Sequence, residues 1–421
     1  MTGDVLGFFR NLPQQYGGVA TMRLGPQPLV LVTHPDAVKH CLVDNNKNYP
    51  KNYEEPARLF GEGLLSSNGE FWLKQRRTMQ PAFHMREIAG FSVTMVQAAQ
   101  TLIERWSARA GQQLFILPEM LDVTQAIILR VMFSAEIGDK TREMSAAFDQ
   151  FVSYFSSRMF APLPFEWPPA RRKFEDAMQS LDGFINGLIE TRRANMDSAP
   201  QDLLTMLLNA RDPETNLGMS NKQLRDEMIT LYFAGHETTA STLAWAFVFL
   251  SQSPAAEQRV RDELTQVLNG RVPTLDDYSK LIYTRRVLDE VLRLRPPAWM
   301  FTRRAIADDE VGGFAIRAGQ ILMFSPYATH HLTEFWPDPE KFDPDRFAPM
   351  ADAVRPKHAY MPFSLGARMC IGNVFAQVEA TLVLATLMQA GRMRAVTAES
   401  IKPAVGVVLR PPATLAMRFV K

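Results

Sequence analysis

The chain carries only two cysteines, Cys41 and Cys370, in 421 residues. That excludes a disulfide framework and points to a reducing compartment, here taken as the cytoplasm. It has no run of about 18 apolar residues, the length a membrane-spanning helix needs, so no transmembrane anchor is expected. Residues Met1–Gly18 mix charges, glycine and proline and do not read as a signal peptide. An excess of one charge is missing too: 46 Lys and Arg stand against 45 Asp and Glu, a formal net charge of +1. Bulk electrostatics therefore favour neither nucleic acid nor an anionic membrane. Histidine pairs at metal-ligand spacing are lacking. His34 and His40 read as structural, and His330 and His331, adjacent in sequence, receive no role. What remains is a globular composition with 27 Phe and 22 Met, enough for a large, adaptable apolar interior.

Apolar periodicity predicts a mainly α protein with small β-sheets. Helical spacing runs through Val96–Arg109, Pro118–Phe133, Lys140–Arg158, Ala170–Arg193, about Ser279–Arg295 and Asn373–Ala390, and a further helix starts at Ser253-Pro254. Val19–Leu24 and Leu29–Thr33 read as a hairpin around Gly25-Pro26, after which His34-Pro35 opens a helix bearing His40 and Cys41. Val311–Ile316 and Gln320–Phe324 read as strands around Ala318-Gly319, and Val405–Val420 as a terminal hairpin. Lys51–Gly63 and the proline-rich Met159–Pro169 read as breaks.

Ser220 and Gln223 have the spacing of a capping box. The helix they open extends to about Ser251, roughly 45–50 Å at ~1.5 Å per residue. Its centre is Phe233-Ala234-Gly235-His236-Glu237-Thr238-Thr239. Glycine and threonine are poor choices for a helix interior. An acid in an apolar stretch is costly unless it has a task; the plainer reading puts Glu237 and His236 on a wetted side, with the threonines bonding back to carbonyls.

Cys370 lies in Phe363-Ser364-Leu365-Gly366-Ala367-Arg368-Met369-Cys370-Ile371-Gly372, just ahead of an apolar helix. A thiolate there sits at a helix N-terminus, where backbone N–H groups favour negative charge. Gly366 and Gly372 allow a tight turn and close approach to something flat, and Arg368 can reach an anionic group on it. A porphyrin meets all three demands. Two other pairs bear on the same object. Trp72 and Arg76 share a helical face, and an indole N–H and a guanidinium can donate to one carboxylate; alternatively they are an ordinary core Trp and a solvated Arg. Glu290 and Arg293 form an E-x-x-R pair that, if exposed, contributes about 0–1 kcal/mol.

The F-x-x-G-x-R-x-C-x-G pattern of 363–372 resembles the haem-ligand loop of the cytochrome P450 family, and A-G-H-E-T-T at 234–239 resembles its oxygen-activation motif. The resemblance implies one cytochrome P450 haem domain over 1–421, with a long central helix over the haem and β-rich portions near 17–36, 300–325 and 393–421. It implies haem b (iron protoporphyrin IX) with Cys370 as the iron ligand. Phe363, Gly366, Arg368, Gly372, Trp72, Arg76 and Arg303 would hold the macrocycle and its propionates, with Arg304 and His358 as further candidates. Ala234 and Gly235 would leave room above the iron, and Glu237 and Thr238 would relay protons. Glu290, Arg293 and Arg346 would be the buried triad that holds the cysteine loop. Phe233, Ala298, Trp299, Met300, Phe301, Val405 and Gly406 would line the substrate pocket, with Tyr53, Arg58, Leu64, Phe155, Met159 and Phe160 as further contacts.

The implied reaction is mono-oxygenation of a medium or long apolar molecule, a fatty acid or terpenoid. No flavin- or iron–sulfur-binding segment is found, so the resemblance implies a ferredoxin or flavodoxin with its NAD(P)H reductase, steered by a cationic patch near Lys74, Arg77, Lys357 and Arg368. The protein is expected to be monomeric. Two rival readings are a peroxide-dependent haem-thiolate enzyme and a non-catalytic haem-binding sensor or carrier. The Glu237-Thr238 pair argues against both.

Overall fold

The computed structural model describes residues 4–24, 27–53, 57, 60–135, 146–147, 150, 154, 168–396 and 401–420. Arg58, Phe155, Met159 and Phe160, and most of the helix expected over 140–158, lie outside the described residues. The longer helices are α1 (Val5–Tyr16), α2 (Gly69–Met79), α3 (Met85–Ala108), α4 (Ile116–Phe133), α5 (Pro168–Ala194), α6 (Leu203–Asn209), α7 (Asn221–Gln252), α8 (Pro254–Leu268), α9 (Ile282–Leu294) and α10 (Asn373–Ala390). The strands are β1 (Val19–Leu24), β2 (Gln27–Val32), β3 (Gln113–Phe115), β4 (Phe301–Arg304), β5 (Asp309–Val311), β6 (Phe314–Ile316), β7 (Ile321–Phe324), β8 (Arg392–Ala395), β9 (Ala404–Val405), β10 (Leu409–Arg410) and β11 (Ala416–Val420). Among the described residues no helix is long and apolar enough to cross a membrane.

The chain divides into two compact units: residues 1–52, 95–120 and 238–421, and residues 53–94 and 121–237. In the first, β1, β2, β7 and β4 form one sheet in that order. β2 and β7 pair in parallel, with Val32 opposite Phe324, and β4 pairs antiparallel with β7, placing Arg303 opposite Leu322. One face of this sheet carries Val30, Val32, Leu322 and Phe324 against Val38, Cys41 and Leu42, and the other packs Leu29, Leu31 and Met323 with Phe9 and Trp299. The period-2 alternation of a strand buried on both faces produces these two cores from one sequence. In the second unit, α5 is tied to the start of α6 by Arg192, which donates to Asp202 (2.5 Å). Asp202 also caps α6 through the Thr205 N–H (2.9 Å).

Several expectations need correction. Residues 5–16, for which the sequence offered no element, form α1, capped by Asp4 accepting from the Gly7 N–H (2.8 Å) and tolerating Pro13 inside it. Val311–Ile316 is not one strand but the β5–β6 hairpin, because Gly312 and Gly313 turn the chain with φ of +56° and +82°. The C-terminal stretch is not a single hairpin either. β9 and β10 pair with each other, while β11 lies between β3 and β8. α4 begins two residues before Pro118, at Ile116. The capping box at Ser220 and Gln223 is present in both directions (3.1 and 3.2 Å).

Candidate active site

The cysteine loop is closed by its own backbone. The Cys370 N–H donates to the Phe363 carbonyl (2.9 Å), the Met369 N–H to Gly366 (3.1 Å) and the Ser364 N–H to Met361 (3.0 Å). Gly372 then caps α10, so the thiol stands two residues ahead of the helix N-terminus, as the sequence implied. Cys370 is solvent-accessible, whereas Cys41 is fully buried, and burial pushes the Cys41 thiol up to about 12. Gly366 has φ +65°, and a Cβ there would overlap the Leu42 carbonyl oxygen, so glycine is required for the loop to lie on residues 40–44. Ser364 also adopts a left-handed conformation, φ +62°, in the same loop.

Behind the loop, Glu290 and Arg293 on α9 are wholly buried and bidentate, with Nε–Oε2 2.6 Å and Nη2–Oε1 2.7 Å. Arg293 also donates to the carbonyls of Pro339 (2.8 Å), His330 (3.0 Å) and Lys341 (3.2 Å). The Asp343 N–H donates to Glu290 (3.0 Å), and Arg346 Nε lies 3.4 Å from the same carboxylate. The three residues therefore converge as expected, and they pin the 330–346 segment as well as each other.

The centre of α7 shows a local change of burial. Leu231 to Phe233 and Thr239 to Phe247 are buried, but Ala234 is exposed and Gly235 and Thr238 are partly exposed. Spaced i, i+1 and i+4, these three share one face. Glu237 and His236 turn inward and are buried. Thr124 on α4 donates to the His236 carbonyl (3.1 Å), His236 stacks on Tyr232, and burial holds its imidazole down at about 4. A neutral His236 is thus part of the packing. A Cβ on Gly235 would press on the Ile128 methyl.

In the first unit, three segments are knitted near the Thr238 end of α7. Ser241 Oγ donates to the Leu409 carbonyl (2.7 Å), the Leu409 N–H to Pro297 (3.0 Å), and Trp299 Nε1 to Gly406 (2.8 Å). Sequence reasoning missed Ser241; its only signal was a small polar residue in an apolar helix. Of the expected lining residues, Ala298 is exposed and Met300, Phe301, Val405 and Gly406 are partly exposed. Trp299 has zero exposure and packs edge-on against Phe9 (centroids 5.6 Å), so it is a core anchor rather than a wall of the pocket. In the second unit Phe233 is likewise buried, against Phe60 (5.1 Å). Arg303 is buried on β4, while its neighbour Arg304 is partly exposed, which favours Arg303 as the inward residue.

The second unit carries Trp72, buried, and Arg76, half-buried, one turn apart on α2. Arg77 is not available for an electron donor as expected: it pairs with Asp212 (3.2 Å) and Glu214. Two buried acids on α7 that the sequence reading passed over hold residues 62–64. Asp226 accepts from the Glu62 N–H and Glu227 from the Leu64 N–H, both at 2.9 Å. Gln75 on α2 reaches the Glu62 carbonyl (2.8 Å).

An iron porphyrin asks for an accessible thiol on a fixed loop, a close backbone approach, and cations for its carboxylates. Cys370 and Gly366 supply the first two. Arg303 and Arg368, in the same unit, supply donors of the right chemistry. The residues present fit the group.

Residues 2–417 match the family model described as Cytochrome P450. The chain is 35% identical over 415 residues to cyclooctatin synthase of Streptomyces melanosporofaciens, covering 96% of this chain and 88% of that protein. It is 36% identical to the cyclooctat-9-en-7-ol 5-monooxygenase of the same organism, covering 93% and 85%. Pentalenene oxygenase of Streptomyces avermitilis is 30% identical, covering 98% and 92%. Among solved structures, the haem domain of cytochrome P450DA superposes with TM-score 0.92 at 28% identity, covering 100% of this chain and 94% of that one.

Proposed function

The chain belongs to the cytochrome P450 family, and from that premise we propose that it hydroxylates a cyclic terpenoid, with Cys370 as the ligand to iron and electrons arriving from a separate protein. It is a haem-thiolate monooxygenase, and its cofactor is haem b. The bound haem supplies the oxygen chemistry: O2, two electrons and two protons become one hydroxyl on the substrate and one water.

The observation that carries the ligand assignment is the state of the two cysteines. One thiol is accessible on a loop closed by its own backbone, and the other is buried among apolar side chains. In this reading Phe363, Gly366 and Gly372 shape the loop, while Arg368, Arg303, Trp72 and Arg76 bind the propionates. Ala234 and Gly235 keep one face of α7 low, and the Thr238 hydroxyl on that face passes on protons that Glu237 brings from the other side. Glu290, Arg293 and Arg346 hold the loop without touching the substrate. All of 1–421 serves as one haem domain, monomeric and cytoplasmic.

The substrate class rests on two supports. The similar proteins are named for oxygenation of pentalenene and of an unsaturated cyclic alcohol. The accessible side chains at 298–301 and 405 are apolar, as a hydrocarbon skeleton requires. A ferredoxin or flavodoxin with an NAD(P)H reductase completes the system, with Lys357 exposed for docking. The test is a panel of fatty acids and cyclic terpenes scored by the low-spin to high-spin shift of the haem spectrum, followed by turnover with a surrogate redox chain. Shifts with fatty acids alone overturn the substrate class. A Cys370→Ser protein that retains the thiolate-type spectrum overturns the ligand.

A further inference from the structure

His330 is fully buried and belongs to none of the motifs above. Its two ring nitrogens face two backbone groups of opposite kind. Nδ1 lies 3.2 Å from the Arg293 carbonyl, which can only accept. Nε2 lies 2.9 Å from the Met361 N–H, which can only donate. The proton must therefore sit on Nδ1, leaving the Nε2 lone pair for Met361, so the geometry fixes a single neutral tautomer. Arg293 returns the contact by donating Nη1 to the His330 carbonyl (3.0 Å). Tyr360 and Trp336 wall the ring, at 5.3 and 6.2 Å between centroids.

Met361 is the residue on which the cysteine loop starts. It is buried in the core cluster of Cys41, Leu42 and Phe324. Its carbonyl accepts from Ser364, and two residues further the Phe363 carbonyl accepts from Cys370 (2.9 Å). A continuous line thus runs from the Arg293 backbone through the imidazole to Met361, Phe363 and the Cys370 N–H. Nothing else among the described residues accepts the Met361 N–H.

We propose that His330 is a positioning residue for the iron-ligating loop, transmitting the fixed place of Arg293 to the base of the loop through its Nε2 acceptor. The inference rests on the reading of Cys370 as the iron ligand and adds a residue outside the Glu290–Arg293–Arg346 triad. Without that acceptor the Met361 N–H is left buried and unpaired, and the loop loses its anchor on the α9 side.

Two isosteric variants separate this role from general packing. His330→Gln places an acceptor at the Nε2 position and gives up the Nδ1 donor; His330→Asn does the reverse. Each loses one hydrogen bond, so a merely structural role predicts equal effects. The readout is the lifetime of the thiolate-type spectrum of the ferrous carbonyl complex in mild urea at neutral pH, alongside helix melting by circular dichroism. The unsubstituted protein must show that spectrum at the outset; if it does not, the ligand reading fails, whatever His330 does. The expected result is that the Gln variant stays within about threefold of the unsubstituted lifetime while the Asn variant loses the thiolate form about tenfold faster than Gln, at similar melting temperatures. Equal lifetimes, or a longer-lived Asn variant, overturn the proposal. Amide hydrogen exchange of the unsubstituted protein decides the matter if neither variant folds: the Met361 N–H should exchange as slowly as the α9 amides, and exchange at loop rates overturns it.

Discussion

Glu290 and Arg293 meet one turn apart on α9 with no exposed side-chain surface on either, joined by two bonds of 2.6 and 2.7 Å. Removing one member leaves a buried charge without its partner, which costs about 3–5 kcal/mol. Arg293→Ala also frees three carbonyls of the 330–341 segment. Urea unfolding of Arg293→Ala should show a loss of that size, together with loss of haem during purification. A change below about 1 kcal/mol, the range of a surface pair, would contradict the burial argument.

Two positions in the cysteine loop should respond in opposite directions. Gly366→Ala forces a Cβ into the Leu42 carbonyl at φ +65° and should destabilise the protein by about 1–3 kcal/mol. Ser364→Gly relieves a non-glycine residue at φ +62° whose hydroxyl has no partner among the described residues, and should stabilise by about 1 kcal/mol. Thermal melts of the two variants side by side check both signs.

Glu379 on α10 is buried, and the Thr239 side chain lies against its carboxyl. Burial pushes its carboxyl up to about 8, so the folded protein keeps a proton that the unfolded chain releases above about pH 4.3. The unfolded state then binds fewer protons, and stability falls as pH rises from that value to about 8. Glu379→Gln removes this slope. In urea unfolding at pH 5, 7 and 8 the variant should gain on the parent steadily, by up to about 3 kcal/mol at pH 7. A gap that does not change with pH counts against it.

His236 behaves with the opposite sign. Burial holds its imidazole down at about 4, so between about pH 6.5 and 4 the unfolded chain binds a proton that the folded one does not. Its contribution is fully present above pH 6.5 and is lost as pH falls toward 4. His236→Phe should flatten the acid limb of the stability profile by about one proton, measured as the slope of unfolding free energy against pH.

The Thr238 and Glu237 roles separate by coupling. Thr238→Ala keeps the loop and the buried core of α7, so its haem spectrum and ligand-induced spin shift should be unchanged, while product formed per NADH consumed falls by roughly tenfold or more. Glu237→Gln should lower the overall rate by about a hundredfold with the same spectra. Product yield and NADH consumption measured together distinguish the two. Unchanged coupling in Thr238→Ala removes Thr238 from the proton path.

Local chemistry made much of the molecule legible in advance. The spacing of Phe363, Gly366, Arg368, Cys370 and Gly372 identified the loop, because few other tasks need a thiol, two glycines and a cation in ten residues. The long run from Ser220 and its capping box identified α7, since apolar period and cap chemistry act within a few residues of each other. The E-x-x-R pair and its Arg346 partner were found by pattern, though their burial was not a property of the pattern.

What the sequence by itself determined is therefore short-range: most of the described helices, the first hairpin, the cysteine loop and the balance of charge. The three-dimensional arrangement decided which of two equivalent-looking residues faces inward, as with Arg303 against Arg304, and it moved Trp299 from the pocket to the core. It decided that Arg77 is neutralised by Asp212 and Glu214, and that the C-terminal strand pairs with β3 and β8 instead of folding on itself. It also gave His330 a partner at each nitrogen. These outcomes depend on hydrogen bonds and burial between residues tens to hundreds of positions apart, and such contacts leave no period or spacing in the chain.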